Sequence, residues 1–466
     1  MPITRGSKEI TLVERPIEWL LRDEFSYPLA AGAVDDTLAT HVGLRDVVTD
    51  TNSKLSIAGG VASFATGGSA GGDPGLWYEL ISSLAGRLII GSITPSDTSS
   101  NGAIGLDTNQ ATTIRSSIRF LNPGALNVLD DNTSTSVGAF SATKYYACIV
   151  KRVFGHYYFI KGGAFTNWTL LYIGSSGGGV YPAVVANGTA DVFTSSFIRI
   201  PVETFLPTPL AYDTFTRDNG AIGSTEHYGP DSQRCLDRVW TGATWTIATN
   251  KAVNTPTLGD ELAAGNLVVG NWYSITASDA DHFYVGSAIG DTFRADATTG
   301  LDAGNKVRLI TLATLFATIP DFGTTDVLAD ADLVNTAATQ NGVITNLDDA
   351  ATPANFLLTY HDGTNANLVK CVGGVYTSLI SAAAAYGAGR TLRLIVTRVG
   401  ADLKARLYYH NAFIGAEQTI SDAGIIDNTI CGMFSTSNLN TLDNFSVFPR
   451  GQNDDSYRGL DKWSFD

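Results

Sequence analysis

The chain has 466 residues, of which 44% are hydrophobic and only 16% are charged, with 45 acidic side chains against 30 basic ones. This length predicts two to three domains with sizeable cores and excludes a disordered chain. The net charge of −15 argues against a nucleic-acid partner and against an anionic membrane surface, because both need a basic protein face.

The four cysteines are far apart in sequence, which favours buried free thiols over a zinc site; an inter-domain disulfide has no support. The N-terminus, MPITRGSKEITLVERP, lacks the apolar core of a secretory signal. No stretch approaches the roughly 18 apolar residues that cross a bilayer. We therefore expect no membrane insertion, and a protein that stays in the cytosol or leaves by cell lysis as part of a particle.

Residues 1–21 are predicted to form an N-terminal arm, whose apolar residues Ile17, Trp19, Leu20 and Leu21 could cover a sheet edge or dock on a partner. Residues 22–201 are predicted to form a first β domain. Its short apolar–polar alternations, separated by Gly, Asn or Asp, are typical of half-exposed antiparallel strands. Strands are predicted at 54–64, 88–90, 113–121, 145–153, 156–161, 181–186 and 192–201.

The next stretch, residues 202–210, is predicted to be a linker between two domains. Pro201, Pro207 and Pro209 lie in or beside it, and prolines end a sheet because they remove a backbone donor. A proline-rich linker is stiff, so we expect it to hold the two domains at a semi-fixed distance.

Residues 211–450 repeat the first domain. The offset between the copies is 190 residues at Phe25 and Phe215 and 248 residues at Phe197 and Phe445, so the second copy holds an insertion of about 58 residues. We place it at about 258–309, as a small β subdomain that projects from a surface loop, where added length costs little. Its strands are predicted around 272–275, 283–285 and 292–295, and those of the second domain at 307–319, 356–360, 368–372, 392–399, 403–409, 429–433 and 443–448.

Residues 451–466 are predicted to form a polar C-terminal tail. It contains three isolated aromatic residues, Tyr457, Trp463 and Phe465. Aromatic side chains in an otherwise polar segment are typical of contact anchors. We therefore expect the tail to dock on a surface.

The features that the two copies share resemble concanavalin A-like (laminin-G-like) jelly rolls. They are an opening D-x-F, a W/L-x-I-A strand, an Arg-Val hairpin and a closing D-N-F-x-V-x-P strand. Residues 213–223, DTFTRDNGAIG, are similar to the opening of such domains in virion proteins of tailed bacteriophages, and the insertion around 286–293 is similar to a module of phage tail and fibre proteins. The first copy departs from this pattern, because Asp23 and Phe25 are followed by neither the Arg nor the Asn-Gly.

The resemblance implies an all-β fold of two tandem concanavalin A-like jelly-roll sandwiches, the second with the small inserted β subdomain. It implies that Phe25 and Phe215 point inward and that each closing strand lies beside its opening strand. The family often holds one Ca²⁺ through Asp and Asn oxygens. Asp213, Asp218 and Asn219 form one candidate cluster, and Asp362 and Asn365 form another. Acidic turns are far commoner than calcium sites, so we predict no cofactor.

Enzymatic signals are weak in this sequence. Glycan hydrolysis needs paired carboxylates, and the E-x-D-x-x-E or E-x-D-x-E strings of the family's enzymes are absent. G-x-S-x-G occurs at 67–71 and 174–178, in Gly/Ser-rich loops without a following helix, which favours turns over a nucleophile elbow. The six histidines are not spaced as metal ligands, and His156 and His410 are interpreted as solvated strand residues. We therefore predict no enzyme and assign no catalytic, cofactor-binding or metal residue.

Glycan contact would need exposed aromatic side chains beside polar loops. Trp168, Tyr181 and Tyr376 lie near turn signals and are candidates, although the same residue types also fill sandwich cores. The leading hypothesis is a non-enzymatic virion protein, such as a tail fibre or decoration protein. It would assemble with other virion proteins and copies of itself, plausibly as a trimer, and could adhere to a host-surface glycan. The alternative is a carbohydrate-binding, lectin-like module on a bacterial cell surface.

Overall fold

The computed structural model describes residues 17–30, 33–34, 37, 39, 45–50, 53–65, 75–78, 85–107, 114–153, 155–175, 181–186, 193–278, 288–298, 300–301, 303–336 and 338–464. In these residues the chain forms five antiparallel sheets, together with two short 3₁₀ helices, Leu312–Leu315 and Arg458–Leu460, and one α-helix, α1, Asp461–Ser464. The all-β prediction is confirmed.

The strands of the first sandwich are, in chain order, β1 Trp19–Asp23, β2 Arg45–Thr49, β3 Leu55–Ala58, β4 Val61–Phe64, β5 Gly75–Tyr78, β6 Leu88–Pro95, β7 Gly102–Asp107, β8 Ser116–Leu121, β9 Ala125–Asp130, β10 Thr133–Ala139, β11 Tyr145–Lys151, β12 His156–Gly162, β13 Phe165–Ile173, β14 Tyr181–Ala186, β15 Phe193–Ser195 and β16 Ile198–Pro201.

These strands form two sheets that face each other. Sheet 1 has the order β10-β9-β8-β7-β14-β5-β2. Sheet 2 has the order β13-β12-β11-β6-β15-β4-β3, with β16 beside β6 and β1 beside β16. Phe120 of sheet 1 packs on Tyr145 of sheet 2, with ring centroids 5.2 Å apart, inside one apolar core.

The apolar patch that the sequence assigns to the N-terminal arm belongs largely to strand β1, which starts at Trp19. Residues 1–16 lie outside the described residues.

The second sandwich and its insertion comprise β17 Ala211–Asp213, β18 Gly220–Ala221, β19 Trp245–Ile247, β20 Ala252–Asn254, β21 Leu258–Leu262, β22 Trp272–Ala277, β23 Thr292–Arg294, β24 Lys306–Ile310, β25 Phe316–Ile319, β26 Val327–Val334, β27 Asn341–Leu347, β28 Phe356–His361, β29 Asn365–Val372, β30 Val375–Ala383, β31 Arg390–Val399, β32 Asp402–Tyr409, β33 Ala412–Ile420, β34 Ile430–Ser435 and β35 Thr441–Pro449.

The second sandwich repeats the strand order of the first. Sheet 3 contains the run β33-β32-β31-β26-β35-β17, which matches β13-β12-β11-β6-β16-β1 of sheet 2. Sheet 4, β30-β29-β28-β27-β34-β25, matches the first six strands of sheet 1. Opening and closing strands pair in both copies, with Asp23 opposite Ile198 and Asp213 opposite Phe445. The two tandem jelly rolls and this pairing are thus confirmed.

The two sandwiches pack directly on each other through sheets 2 and 3. Tyr157 lies 5.6 Å from Phe448, and Tyr172 lies 6.0 Å from Tyr408, measured between ring centroids. The expectation that the linker sets their distance is wrong, because the outer faces of both sheets are apolar and bury each other. The expectation of half-exposed strands is wrong for β12, whose residues are buried on both faces.

The insertion forms the four-stranded sheet 5, with the order β21-β24-β22-β23. It lies flat on the outer face of sheet 4, where Trp272 packs 5.2 Å from Phe434 and 5.9 Å from Tyr360. The expectation that it projects from a loop is wrong, because the outer face of sheet 4 carries apolar side chains such as Phe356 that need a cover. The predicted strand at 283–285 lies outside the described residues.

The C-terminal tail returns to the first sandwich and docks on sheet 2. Tyr457 packs on Phe159, with ring centroids 4.7 Å apart, and Trp463 packs on Phe205 at 6.2 Å. Both tail aromatics are buried, so their predicted anchoring is confirmed, while Phe465 lies outside the described residues. In the described part of the chain, no helix is long and apolar enough to cross a membrane.

Candidate functional site

The first calcium candidate proves to be a buried ion pair. Asp213 is fully buried and accepts hydrogen bonds from Nη1 of Arg217 at 2.6 Å, Nη2 at 2.9 Å, and Nε1 of Trp240 at 2.8 Å. Burial raises the pKa of Asp213, while the bonds from Arg217 and Trp240 oppose that rise. Asp218 is exposed and Asn219 accepts a bond from the Thr249 amide, so the three predicted ligands do not converge on one point.

The first copy holds the equivalent carboxylate in the same way, with an arginine from elsewhere. Asp23 accepts hydrogen bonds from Nε and Nη2 of Arg45 at 2.6 and 2.7 Å, and from the Tyr78 hydroxyl at 3.0 Å. In both copies the amide two residues later, of Phe25 or Phe215, also donates to the aspartate. The opening D-x-F is therefore a structural motif that ties strand ends together.

The second calcium candidate is a turn. Oδ1 of Asp362 accepts hydrogen bonds from the amides of Thr364 and Asn365 at 2.9 and 2.7 Å, and Oδ2 accepts one from the Asn367 side chain at 2.9 Å. These bonds within one loop use the oxygens that a cation would need. Among the described residues, no group of three or more His, Cys, Asp or Glu side chains could hold a metal ion.

The structure corrects one of the two histidine interpretations, and parts of the other motifs lie outside the described residues. His156 is fully buried, so its interpretation as a solvated residue is wrong, whereas His410 is exposed. His41, His282 and the first G-x-S-x-G, at 67–71, lie outside the described residues, as does the end of the second one.

The three candidate aromatic platforms have different surroundings. Trp168 is buried under the tail, where its Nε1 donates to Asp461 at 3.1 Å. Tyr181 is half-buried against the cluster around Trp77 on the outer face of sheet 1. Tyr376 is half-buried in the wall of a cleft where sheet 5 meets the edge of sheet 4. Only Tyr376, of these three, lines a described cavity.

We call this cavity the insert cleft. Its volume is 280 Å³, near the lower end of the ~300–1,000 Å³ that is usual for ligand pockets. Its lining residues combine one aromatic ring, two exposed valines, glycine backbone and two charged side chains: Val269, Gly270, Arg294, Ala295, Asp296, Gly374, Val375 and Tyr376.

Tyr376, in the wall of the insert cleft, is held by contacts with three neighbouring residues. Tyr376 accepts a hydrogen bond from Nε1 of Trp272 at 3.3 Å, and burial raises the pKa of its hydroxyl, which therefore stays neutral. The guanidinium of Arg294 lies 4.5 Å from the centre of the Tyr376 ring. Gly270 adopts a φ of +90°, which favours glycine, and brings its backbone against Tyr376. The cleft thus offers an apolar surface and a positive charge in fixed positions.

A second cavity, which we call the acidic cavity, has a volume of 490 Å³ and lies at the end of sheet 3. Asp326, Asp427 and Asp454 line it together with Arg398. Asp326 is buried and accepts hydrogen bonds from the amides of Arg398 and Asn453; burial raises its pKa to about 6. Its carboxyl can therefore exchange a proton near neutral pH.

No protein-family model and no curated protein matches the chain. Similar solved structures include the carbohydrate binding module CBM66 from Bacillus subtilis, at 14% identity and a TM-score of 0.20, covering 29% of this chain and 79% of the module. The laminarinase from Rhodothermus marinus has 12% identity and a TM-score of 0.27, covering 40% and 97%. The xylan beta-1,4-xylosidase from Bacillus halodurans has 9% identity and a TM-score of 0.24, covering 86% and 98%.

The prediction that the chain is not an enzyme is corrected here, because the similar solved structures include proteins named as enzymes. That prediction depended on the absence of a local carboxylate string. The acidic cavity shows the weakness of such a criterion, since the fold brings together Asp326, Asp427 and Asp454 from three separate parts of the sequence.

Proposed function

We propose that this chain is a saccharide-binding protein and that the insert cleft holds the sugar. The observation that carries the proposal is the position of Tyr376, an aromatic side chain in the wall of a cavity that also contains polar and charged groups. Saccharides present apolar ring faces and hydroxyl groups together, and sites of mixed apolar and convergent polar lining suit them. The exposed side chains of Val269 and Val375 extend the apolar surface to the cleft rim.

A substitution at the rim tests the proposal without disturbing the core. Val375 is 68% exposed, so Val375→Asp should fold normally but place a charged, hydrated group over the apolar rim. We expect the affinity for bound oligosaccharides to fall by at least about tenfold, equivalent to about 1.4 kcal/mol. Binding of wild type and variant to a panel of oligosaccharides is measured by glycan array and then by calorimetry.

The matched control is Val153→Asp, at a valine in the first sandwich that is 61% exposed. It should bind as the wild type does. Equal binding by all three proteins would place the saccharide elsewhere, and no binding of any saccharide by the wild type would remove the proposed function.

A second proposal concerns partners and keeps the hypothesis of a virion component. Tyr228, Leu236 and Val239 are all well exposed on a segment that folds back on itself through bridges at Ser224–Val239 and Tyr228–Arg234. Exposed apolar groups of this kind are typical of protein contacts, which supports assembly with further copies of the chain. The proteins that bind to this assembly would show whether it belongs to a virion or to a bacterial cell surface.

Light scattering tests the assembly. We expect a mass above that of the monomer, and a shift towards the monomer for Leu236→Asp, because a carboxylate in an apolar contact is costly. Leu439→Asp is the matched control, since Leu439 and Leu236 are both 66% exposed. A wild-type protein that is monomeric at every concentration would contradict this proposal.

A further inference from the structure

Arg294, at the end of β23, is the unusual charge of the insert cleft. It is half-buried, and within the described part of the chain it forms no hydrogen bond and no ion pair. Its Nη1 is shielded from solvent and has no partner there. Its one described electrostatic contact at short range is a cation–π interaction with Tyr376, whose ring centre lies 4.5 Å from the guanidinium carbon.

Two buried arginines of the described chain have their charge compensated by a carboxylate. Arg45 is paired with Asp23 at 2.6 Å, and Arg393 with Asp330 at 2.9 Å. This pattern is expected, because a buried guanidinium without a hydrogen-bond acceptor costs free energy. Arg294 lacks such an acceptor at Nη1, as the buried Arg450 does, but only at Arg294, of these two, does a described cavity open beside the side chain, with a volume of 280 Å³.

The guanidinium carbon of Arg294 lies over the Tyr376 ring, 4.5 Å from its centre. A planar guanidinium presents parallel N–H donors, which match the two oxygens of a carboxylate in spacing and direction. Asp296 lines the same cleft and is exposed. Arg294 is therefore the cationic group of the cleft lining.

We propose that the ligand of the insert cleft is an acidic saccharide, with the carboxylate of a hexuronic-acid type of sugar bound to Arg294 and its ring beside Tyr376 and Val375. This inference rests on the proposed saccharide-binding function and names the class of sugar. The anion supplies the acceptors that Arg294 lacks, and the sugar ring covers the apolar rim.

The test uses the full chain and a panel of oligosaccharides that contain hexuronic acids, each paired with its carboxyl-methylated form, which keeps the ring and loses the charge. We expect the wild type to bind acidic forms at least about tenfold more tightly than their methyl esters, with an affinity that falls as salt rises. Arg294→Gln should abolish this preference while leaving weak binding of the esters. Arg294→Lys should retain part of it, because it keeps the charge and loses the paired donors.

Several outcomes would overturn the inference. Equal wild-type binding of acids and esters, or an acid preference that survives in Arg294→Gln, would exclude a carboxylate at Arg294, while the saccharide-binding function would stand. Tighter binding of sulfated neutral sugars than of uronates would assign the anion to a sulfate ester. Failure to bind any saccharide would remove the proposed function itself. Melting temperatures of both variants, compared with the wild type, show that losses are not due to unfolding.

Discussion

Replacing Arg45 by Ala is expected to destabilise the first sandwich by about 3–5 kcal/mol, because it leaves the fully buried carboxylate of Asp23 without its cation. Arg45 is itself 1% exposed and bonds both carboxylate oxygens, so water cannot replace it easily. The Tyr78 hydroxyl would remain as a hydrogen-bond donor but carries no charge. Urea unfolding followed by tryptophan fluorescence measures the effect as a lower unfolding midpoint.

Two controls make this prediction specific. Arg217→Ala removes the equivalent cation of the second sandwich, but Arg217 is 30% exposed, so water can reach the Asp213 site and the loss should be smaller. Arg22→Ala removes an arginine of the same strand region whose ion pair with Glu24 is open to solvent, and should cost less than about 1 kcal/mol. If Arg45→Ala unfolded no more easily than Arg22→Ala, the buried pair would not stabilise the fold.

The Asp23 site shows how far the sequence alone could be interpreted. The repeated D-x-F predicts two equivalent strands and two inward phenylalanines, and the structure confirms this, with Phe25 and Phe215 both buried and at φ of 51° and 54°. In the second copy the sequence also offers a calcium candidate, Asp213 with Asp218 and Asn219, because Asp and Asn supply the oxygens that bind Ca²⁺. Only the fold shows that a guanidinium occupies that position in both copies.

The arginine partner of Asp23 could not be found from the motif. In the second copy Arg217 follows four residues after Asp213, whereas in the first copy the cation comes from Arg45 on β2. The first copy therefore lacks the local arginine of the motif and supplies the same charge from a distant strand. An interaction between residues that sheet pairing brings together from distant positions cannot be found from a motif, because the spacing of a motif reports only local geometry.

The stacking of the two sandwiches through sheets 2 and 3 is missing from the sequence predictions for a related reason. Strand patterns indicate which residues are apolar, but not whether the other face of a sheet meets water or a second domain. In β12, the run from Tyr157 to Ile160 is apolar or aromatic throughout, which is typical of a strand covered on both faces. That signal was present in the sequence and could have predicted that the two sandwiches stack.

The candidate site was predictable only in part. Tyr376 could be named from its position near a turn, together with Trp168 and Tyr181, but nothing local distinguished the three. Arg294 gives no sequence signal, because what marks it is the lack of an acceptor in the described structure. The insert cleft itself forms where sheet 5 packs on the outer face of sheet 4, an arrangement that no spacing rule encodes.

The tail supplies the second prediction of large effect. Trp463 is buried against Phe205, and its backbone carbonyl accepts a hydrogen bond from Nη1 of Arg199 at 3.1 Å. Asp461, two residues earlier, accepts bonds from Lys161 and Trp168 of sheet 2. Residues from the end of the chain thus extend the apolar cluster of the first sandwich over the outer face of sheet 2, and they tie the second sandwich to it.

Trp463→Ala should therefore cost about 3–5 kcal/mol, the usual loss for a large aromatic side chain removed from a core. Trp463 is the largest of the three buried apolar anchors of the described tail, beside Tyr457 and Leu460. We expect the tail to detach locally before the sandwiches unfold, so that limited proteolysis cuts near residue 455 much faster than in the wild type. Lys462→Ala is the matched control, since its ion pair with Glu203 is exposed and should contribute less than about 1 kcal/mol. If Trp463→Ala and Lys462→Ala resisted the protease equally, the prediction would be wrong. Tyr457 and Asp461 would then hold the tail in place without the tryptophan.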